Sequence, residues 1–332
     1  MIHLTWLKDD QAEYMTTYVI VAIIAAAVTY ILTPFVCRFA ESRGIVAHPG
    51  GRRIHARPTP LMGGLAMYFG FMVAVLAALA ISSTVNLSPQ AIGILLGGTL
   101  VAIIGILDDK YELPGWVQAG SILAAALVLW VFKVRISGIT SPVHVEFGLW
   151  SIPVTMLWVL MVTKAVDCMD GLDGLAAGIS AIAACTLMIM AAQFHGRAMS
   201  AAMAAALMGA AIGFLRFNYP PAKVFMGTIG AQFLGFTLAG ISVLGTLKIT
   251  ALLAVAVPVL VLAVPLLDTA FVVLRRAASG RSIGEADTTH LHHRLVDKGL
   301  SHRQVIWCIY GLAIVCCSVA YWIFSRLGQA GR

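Results

Sequence analysis

Charge is what this sequence has least of. Only 11% of its 332 residues are Asp, Glu, Lys or Arg, against about a quarter in an ordinary water-soluble domain. A charged, solvated surface of the usual kind is excluded. No CxxC pair occurs among the six cysteines, Cys37, Cys168, Cys185, Cys308, Cys316 and Cys317. All but Cys168 sit in or beside apolar runs and read as small buried apolar residues, so neither disulfides nor a thiolate metal site is expected. Residues 1–14 lack a basic n-region and a small-residue cleavage site and carry Asp9, Asp10 and Glu13 instead. They are not expected to act as a cleaved signal peptide. An internal repeat of the inverted-topology kind is also missing, which counts against a transporter.

What is present is apolar length. Hydrophobic residues make up 60% of the chain, mean hydropathy is +0.92, and runs of about 17 residues or more recur throughout, the signature of membrane-spanning helices. Ten spans are expected: 17–37, 64–81, 91–107, 117–132, 152–166, 174–193, 200–217, 231–247, 250–275 and 305–324. The fold class is therefore an all-α integral membrane protein, one polytopic domain over 1–332. Its polar parts are a loop at 38–63, a hairpin at 133–151 marked by alternating Val143, Val145 and Phe147, and a histidine-containing loop at 276–304.

Positive charge orients the spans. Loops after odd-numbered spans hold 15 Lys and Arg, including Arg38, Arg43, Arg52, Arg53 and Arg57 in the first; the opposite side holds 7. The bias puts both termini and the 133–151 hairpin outside, and the 38–63 and 276–304 loops in the cytoplasm. It also accounts for the net charge of +7 without nucleic acid. Asp108, Asp109, Glu112, Asp167, Asp170, Asp173, Glu285, Asp287 and Asp297 fall on the same side, as do His290, His292 and His293. Four loops thus bring polar chemistry to one membrane face, the outline of an enzyme whose soluble substrate arrives from the cytosol.

The densest of these loops reads TKAVDCMDGLDGLAAG over 163–178, with three carboxylates in seven residues at Asp167, Asp170 and Asp173. Spaced three apart, they share one face if the segment is helical. Anions held so close call for a cation or a shared proton, hence a divalent metal or a phosphate site. Gly171 and Gly174 follow two of them and allow a sharp turn or a close approach to a ligand. Asp108–Asp109, closing the third span, can bind metal, act as a base or cap the span with charge. His290, His292 and His293 beside Arg294 suit zinc or a phosphate; with no ligand at zinc spacing and cationic surroundings, phosphate or sugar contact is favoured. Arg52, Arg53, His55 and Arg57 suit an anionic lipid head group, although topology alone also places arginines there. Asp268, just after Pro265 in the ninth span, reads as structural.

Five motifs in order, PLMGG, LDDKYEL, AVDCMDGLDGLAAG, PPAKVFMG and ADTTHLHHRLVDKGLSHRQ, make residues 38–304 resemble the polyprenyl-phosphate N-acetylhexosamine-1-phosphate transferases. This is the WecA/TagO/MraY-type group of glycosyltransferase family 4, and the proportions are nearer WecA and TagO. The resemblance implies a ten- or eleven-helix fold in the cell inner (plasma) membrane. It implies transfer of a sugar 1-phosphate from a UDP-sugar to undecaprenyl or another polyprenyl phosphate, with release of UMP, for cell-envelope glycans; UDP-N-acetylglucosamine is the expected donor. Membrane lipid is a further partner, a homodimer is compatible with it, and Mg2+ is the implied cofactor, with Mn2+ as a substitute. Carried over, Asp108 and Asp109 are the catalytic pair near the lipid phosphate. Asp170 and Asp173 line the nucleotide and metal region. His290, His292, His293, Arg294, Lys223, Arg53 and His55 contact substrate.

The chain departs from the family pattern at named positions. TNAVNLIDGLDGL reads TKAVDCMDGLDGL, so two Asn become Lys164 and Asp167. FMGDSGS reads FMGTIGA, so an expected magnesium ligand becomes Thr228; DRGHLHH becomes DTTHLHH; and a lysine downstream of the aspartate pair aligns with Trp116. One carboxylate and one neutral oxygen are kept with their places exchanged, so Asp167 and Thr228 are expected to hold the metal, with Lys164 offsetting Asp167. The alternative reading is a catalytically silent paralogue that binds polyprenyl phosphate or a partner enzyme.

Overall fold

The structure is a computed structural model that describes residues 9–47, 58–139, 145–194, 196–246, 259–278 and 291–329. Eleven helices lie among the described residues: α1 (Asp9–Ser42), α2 (Gly63–Ile81), α3 (Pro89–Tyr111), α4 (Gly115–Val131), α5 (Ser151–Met169), α6 (Leu175–Ala192), α7 (Ala198–Asn218), α8 (Gly227–Thr246), α9 (Ala263–Ala278), α10 (Leu291–Asp297) and α11 (His302–Gln329). Eight are long and apolar enough to cross a membrane. Of the other two expected spans, the fourth is the 17-residue apolar α4, and the ninth lies partly outside the described residues. Large apolar side chains such as Ile23, Leu76, Leu157, Leu274 and Val315 face outward, as the rim of a membrane protein requires.

Strand structure is limited to two antiparallel pairs of two residues each. β1 (Val46–Ala47) pairs with β2 (Thr59–Pro60), and β3 (Gly138–Ile139) with β4 (Val145–Glu146). The first pair leads into the PLMGG segment. Pro60 O accepts from Phe225 N, while Gly63 N and Gly64 N donate to Phe225 O and Met226 O, each at 2.9 Å. PLMGG is thereby stitched to VFMG across more than 160 residues of sequence.

Helix α8 is the axis of the molecule. It packs against α2, α3, α5, α6 and α7, and Phe233, Leu234, Phe236, Leu238 and Ile241 on it are all buried. Small residues permit this approach, as usual where helices associate without a hydrophobic drive from water. A Cβ on Gly64 of α2 would fall 2.1 Å from Gly230 N, and one on Gly105 of α3 would fall 2.4 Å from Ile229 Cα. Half-buried Tyr68 and buried Phe71 and Phe233 fill the space beyond in edge-on pairs.

Among the helix limits that differ from expectation, two matter for the site. α3 runs four residues past 107 to Tyr111, which puts Asp108 and Asp109 on its last turn. α5 stops at Met169. Only Asp167 of the three motif aspartates is therefore helical, and the shared-face arrangement does not hold. Asp170 N still reaches Asp167 O at 3.2 Å, but glycine then intervenes. Gly174 at φ 77 opens α6 in the left-handed region, where a side chain is strained.

Candidate active site

Asp109 points at the start of α8. Its Oδ1 accepts from Thr228 N at 2.7 Å and its Oδ2 from Ile229 N at 3.4 Å. These are amides of the first turn, which have no partner within their own helix, so a carboxylate from α3 meets both the vacant donors and the positive end of the helix dipole. Gly227 precedes them at φ 69, and a Cβ there would sit 2.2 Å from Asp109 Oδ2. Glycine is thus required twice, by backbone conformation and by space.

Asp108 turns the other way and is buried. Gln118 Nε2 of α4 donates to its Oδ1 at 2.8 Å. The same amide's Oε1 accepts from Lys164 Nζ of α5 at 2.5 Å and from Gln232 Nε2 of α8 at 3.3 Å. Lys164 in turn pairs with Asp167 Oδ2 at 2.8 Å, one turn along α5. The offset of Asp167 by Lys164 is therefore present in the structure. Trp116, which aligns with the family's downstream lysine, is 77% exposed, and the ammonium in this network comes from Lys164 instead.

The turn between α5 and α6 is clasped from three sides. Asn218, buried at the end of α7, accepts from Gly174 N at 2.8 Å and donates to Val224 O at 2.9 Å. Asp173 Oδ2 accepts from Ala222 N at 2.9 Å, and Tyr310 of α11 donates to Gly174 O at 2.6 Å. Tyr310 reaches that carbonyl across Gly178, where a Cβ would lie 1.8 Å from its hydroxyl. Arg303, the second residue of α11, donates to Pro220 O at 3.2 Å. Asn218→Ala is expected to leave two buried backbone groups unpaired and to cost about 2–4 kcal/mol, read as a lower thermal midpoint in detergent.

Asp170 sits inside this ring. Desolvation first, and then the Asp167, Asp109 and Asp173 carboxylates, push its carboxyl well above the usual carboxylate range. It accepts no hydrogen bond from any described residue. Among the described residues no three His, Cys, Asp or Glu side chains already close on one point as a metal shell. Magnesium does not need one, since it keeps several waters and is held by one or two carboxylates together with substrate phosphates. An uncommitted carboxylate among other carboxylates is of that type, and its oxygen donors are the hard kind that magnesium and manganese take.

The structure brings Asp108, Asp109, Asp167, Asp170, Asp173 and Thr228 to one end of α8. Lys223 is exposed on the loop before it. Arg294 is exposed on α10 with its guanidinium 5.1 Å from the centre of the Phe271 ring. His292 and His293 belong to the backbone of α10, while their side chains, like Arg53, His55 and His290, lie outside the described residues. Gln118, Gln232 and Asn218 were not among the sequence candidates. Their signal was present: an amide inside an apolar helix has to find a polar partner.

Comparison with known proteins bears on this arrangement. Residues 91–246, from α3 to the end of α8, match the model of "Glycosyl transferase family 4". A Bacillus subtilis protein named probable undecaprenyl-phosphate N-acetylglucosaminyl 1-phosphate transferase is 34% identical over 306 residues, 91% of this chain and 84% of that protein. Decaprenyl-phosphate N-acetylglucosaminephosphotransferase of Mycolicibacterium smegmatis is 35% identical over 93% of this chain and 83% of its own length. The protein of the same name from Mycobacterium tuberculosis is 34% identical over 88% and 78%. With the matched region carrying the Asp108–Asp109 pair, the three aspartates of 167–173 and α8, at whose start they meet, the chain belongs to glycosyl transferase family 4.

Proposed function

We propose that this phosphosugar transferase moves N-acetylglucosamine 1-phosphate from its UDP-sugar to a polyprenyl phosphate and releases UMP. One observation carries the reading: Asp108–Asp109 from α3 and Asp167, Asp170 and Asp173 from the end of α5 converge at the start of α8. In the reaction an oxygen of the lipid phosphate forms a bond to the sugar-linked phosphorus. The bond from that phosphorus to the bridging oxygen breaks, and the oxygen leaves with UMP. Such chemistry rests on positioning and charge stabilisation.

Asp170, Asp167 and the Thr228 hydroxyl would hold the ion, Mg2+ or Mn2+. Bound there, it supplies charge neutralisation for the diphosphate. Asp108, aimed by Gln118, faces the acceptor phosphate. Asp109 fixes the end of α8 beside it, and Asp173 holds the 220–222 loop against the site. His290, His292, His293, Arg294 and Lys223 act on the sugar-phosphate side, and Arg53 and His55 meet the lipid head group. The charge bias supports ten spans in the plasma membrane, with both termini outside and this face in the cytosol.

The test is an exchange assay in membranes with UDP-N-acetylglucosamine, undecaprenyl phosphate and Mg2+ or Mn2+. UMP release is the expected result. A folded protein that releases none under either metal overturns the reading in favour of the silent paralogue.

A further inference from the structure

We propose that Lys164 is a positioning residue for Asp108, acting through Gln118 to lock the acidic pair of α3 to the acidic segment of α5. The inference rests on the transferase reading for its kinetic consequence and on geometry alone for the link itself. A glutamine amide has two ends of opposite sense. At Gln118 the oxygen end faces two donors, Lys164 Nζ at 2.5 Å and Gln232 Nε2 at 3.3 Å. The NH2 end must then face Asp108, which it does at 2.8 Å.

Reversing the amide would set its NH2 against an ammonium and its oxygen against a carboxylate. The orientation is therefore fixed by charge at both ends, and charge-assisted bonds of this kind are the stronger ones. Lys164 is itself held at 2.8 Å by Asp167. Four side chains from three helices, Asp108, Gln118, Lys164 and Asp167, thus form one line, with Gln232 of α8 bracing its middle.

Gln232 Oε1 is buried and has no partner, so this bracing amide is committed through its nitrogen alone. Removing the ammonium would take away the short bond that anchors Gln118 to α5, leaving its oxygen end held only by Gln232 at 3.3 Å and letting the side chain swing away from Asp108. The effect would be a misaimed Asp108, together with an Asp167 that has lost its ion-pair partner on α5.

Lys164→Met keeps the length of the side chain and removes its charge, while Lys164→Arg keeps a cation on α5 facing the same Gln118 oxygen. UMP release by the purified full-length protein is expected to fall about 10- to 100-fold in kcat for Lys164→Met, the loss of a charge-assisted bond. KM for the UDP-sugar should stay within about threefold. Lys164→Arg should retain at least about fivefold more activity than Lys164→Met. A readout independent of catalysis is the thermal midpoint in a cycle of Lys164→Met and Gln118→Met, where the two losses should be non-additive. Wild-type kcat in Lys164→Met, a Lys164→Arg protein no better than Lys164→Met, or additive midpoints would each overturn the proposal. A wild-type protein that releases no UMP defeats the functional reading, while the midpoint cycle still decides the link.

Discussion

Asp170→Asn should abolish transfer and stabilise the metal-free protein. The first effect follows from removing a carboxylate from the group that would hold the ion. Charge stabilisation of that kind is worth several kcal/mol, or about 10²- to 10⁴-fold in rate at 1.36 kcal/mol per decade. The second follows from the cost of ionising Asp170 among Asp167, Asp109 and Asp173. A carboxyl whose folded value lies above its unfolded one binds its proton more tightly in the folded state. Between the ordinary aspartate value and the raised one, the folded chain holds more protons, so the metal-free protein loses stability as pH rises through that window. Asparagine carries no charge to penalise. Thermal midpoints of parent and variant with chelator at pH 7 to 8 should therefore favour the variant, and added Mg2+ or Mn2+ should raise the parent alone. A variant as active as the parent, or one less stable in chelator, removes Asp170 from the role given to it.

Gly64→Ala is expected to be among the most damaging single-methyl changes in the membrane core. Its Cβ would lie 2.1 Å from Gly230 N, 2.3 Å from Gly230 Cα and 2.8 Å from Met226 O, all backbone atoms with no rotamer by which to move aside. Overpacking in ordinary cores costs about 1–3 kcal/mol, occasionally more, and this site belongs at or above the upper end. Gly64 N also donates to Met226 O at 2.9 Å, so separating α2 from α8 breaks the PLMGG stitch as well. The check is the monodisperse fraction in detergent together with the thermal midpoint. A Gly64→Ala protein that matches the parent in both would mean that α2 and α8 can part freely.

Much of the fold could be read in the sequence because lipid enforces it. A span must be apolar along its length and close its own backbone hydrogen bonds, and the run from α1 to α8 shows those rules directly. Composition says less about where a helix stops. The sequence leaves Asp167–Gly174 open between a helix and a sharp turn; α5 ends at Met169, and Asn218 and Tyr310, 44 and 136 residues from Gly174 in sequence, clasp the turn that follows. No local pattern contains partners at such distances. The acidic candidates were legible because carboxylates are conspicuous in an apolar chain. Gln118 and Gln232 were less so, since a neutral amide in a span gains its meaning only from what stands opposite. Lys164 shows the same limit: the sequence marks it as a departure, but only the packing of α4 on α5 reveals that it reaches Gln118.

The carboxylate of Asp109 on the first turn of α8 has a consequence for anything anionic that approaches there. The start of a helix attracts phosphate through its free amides and its dipole. Here the amides of Thr228 and Ile229 already face an anion that the chain itself supplies. An incoming diphosphate finds that seat taken and meets a carboxylate where bare amides would have welcomed it. Its attraction to this end of the molecule has to come from positive charge brought from elsewhere, which is the part the proposed cation would play where α3 meets α8.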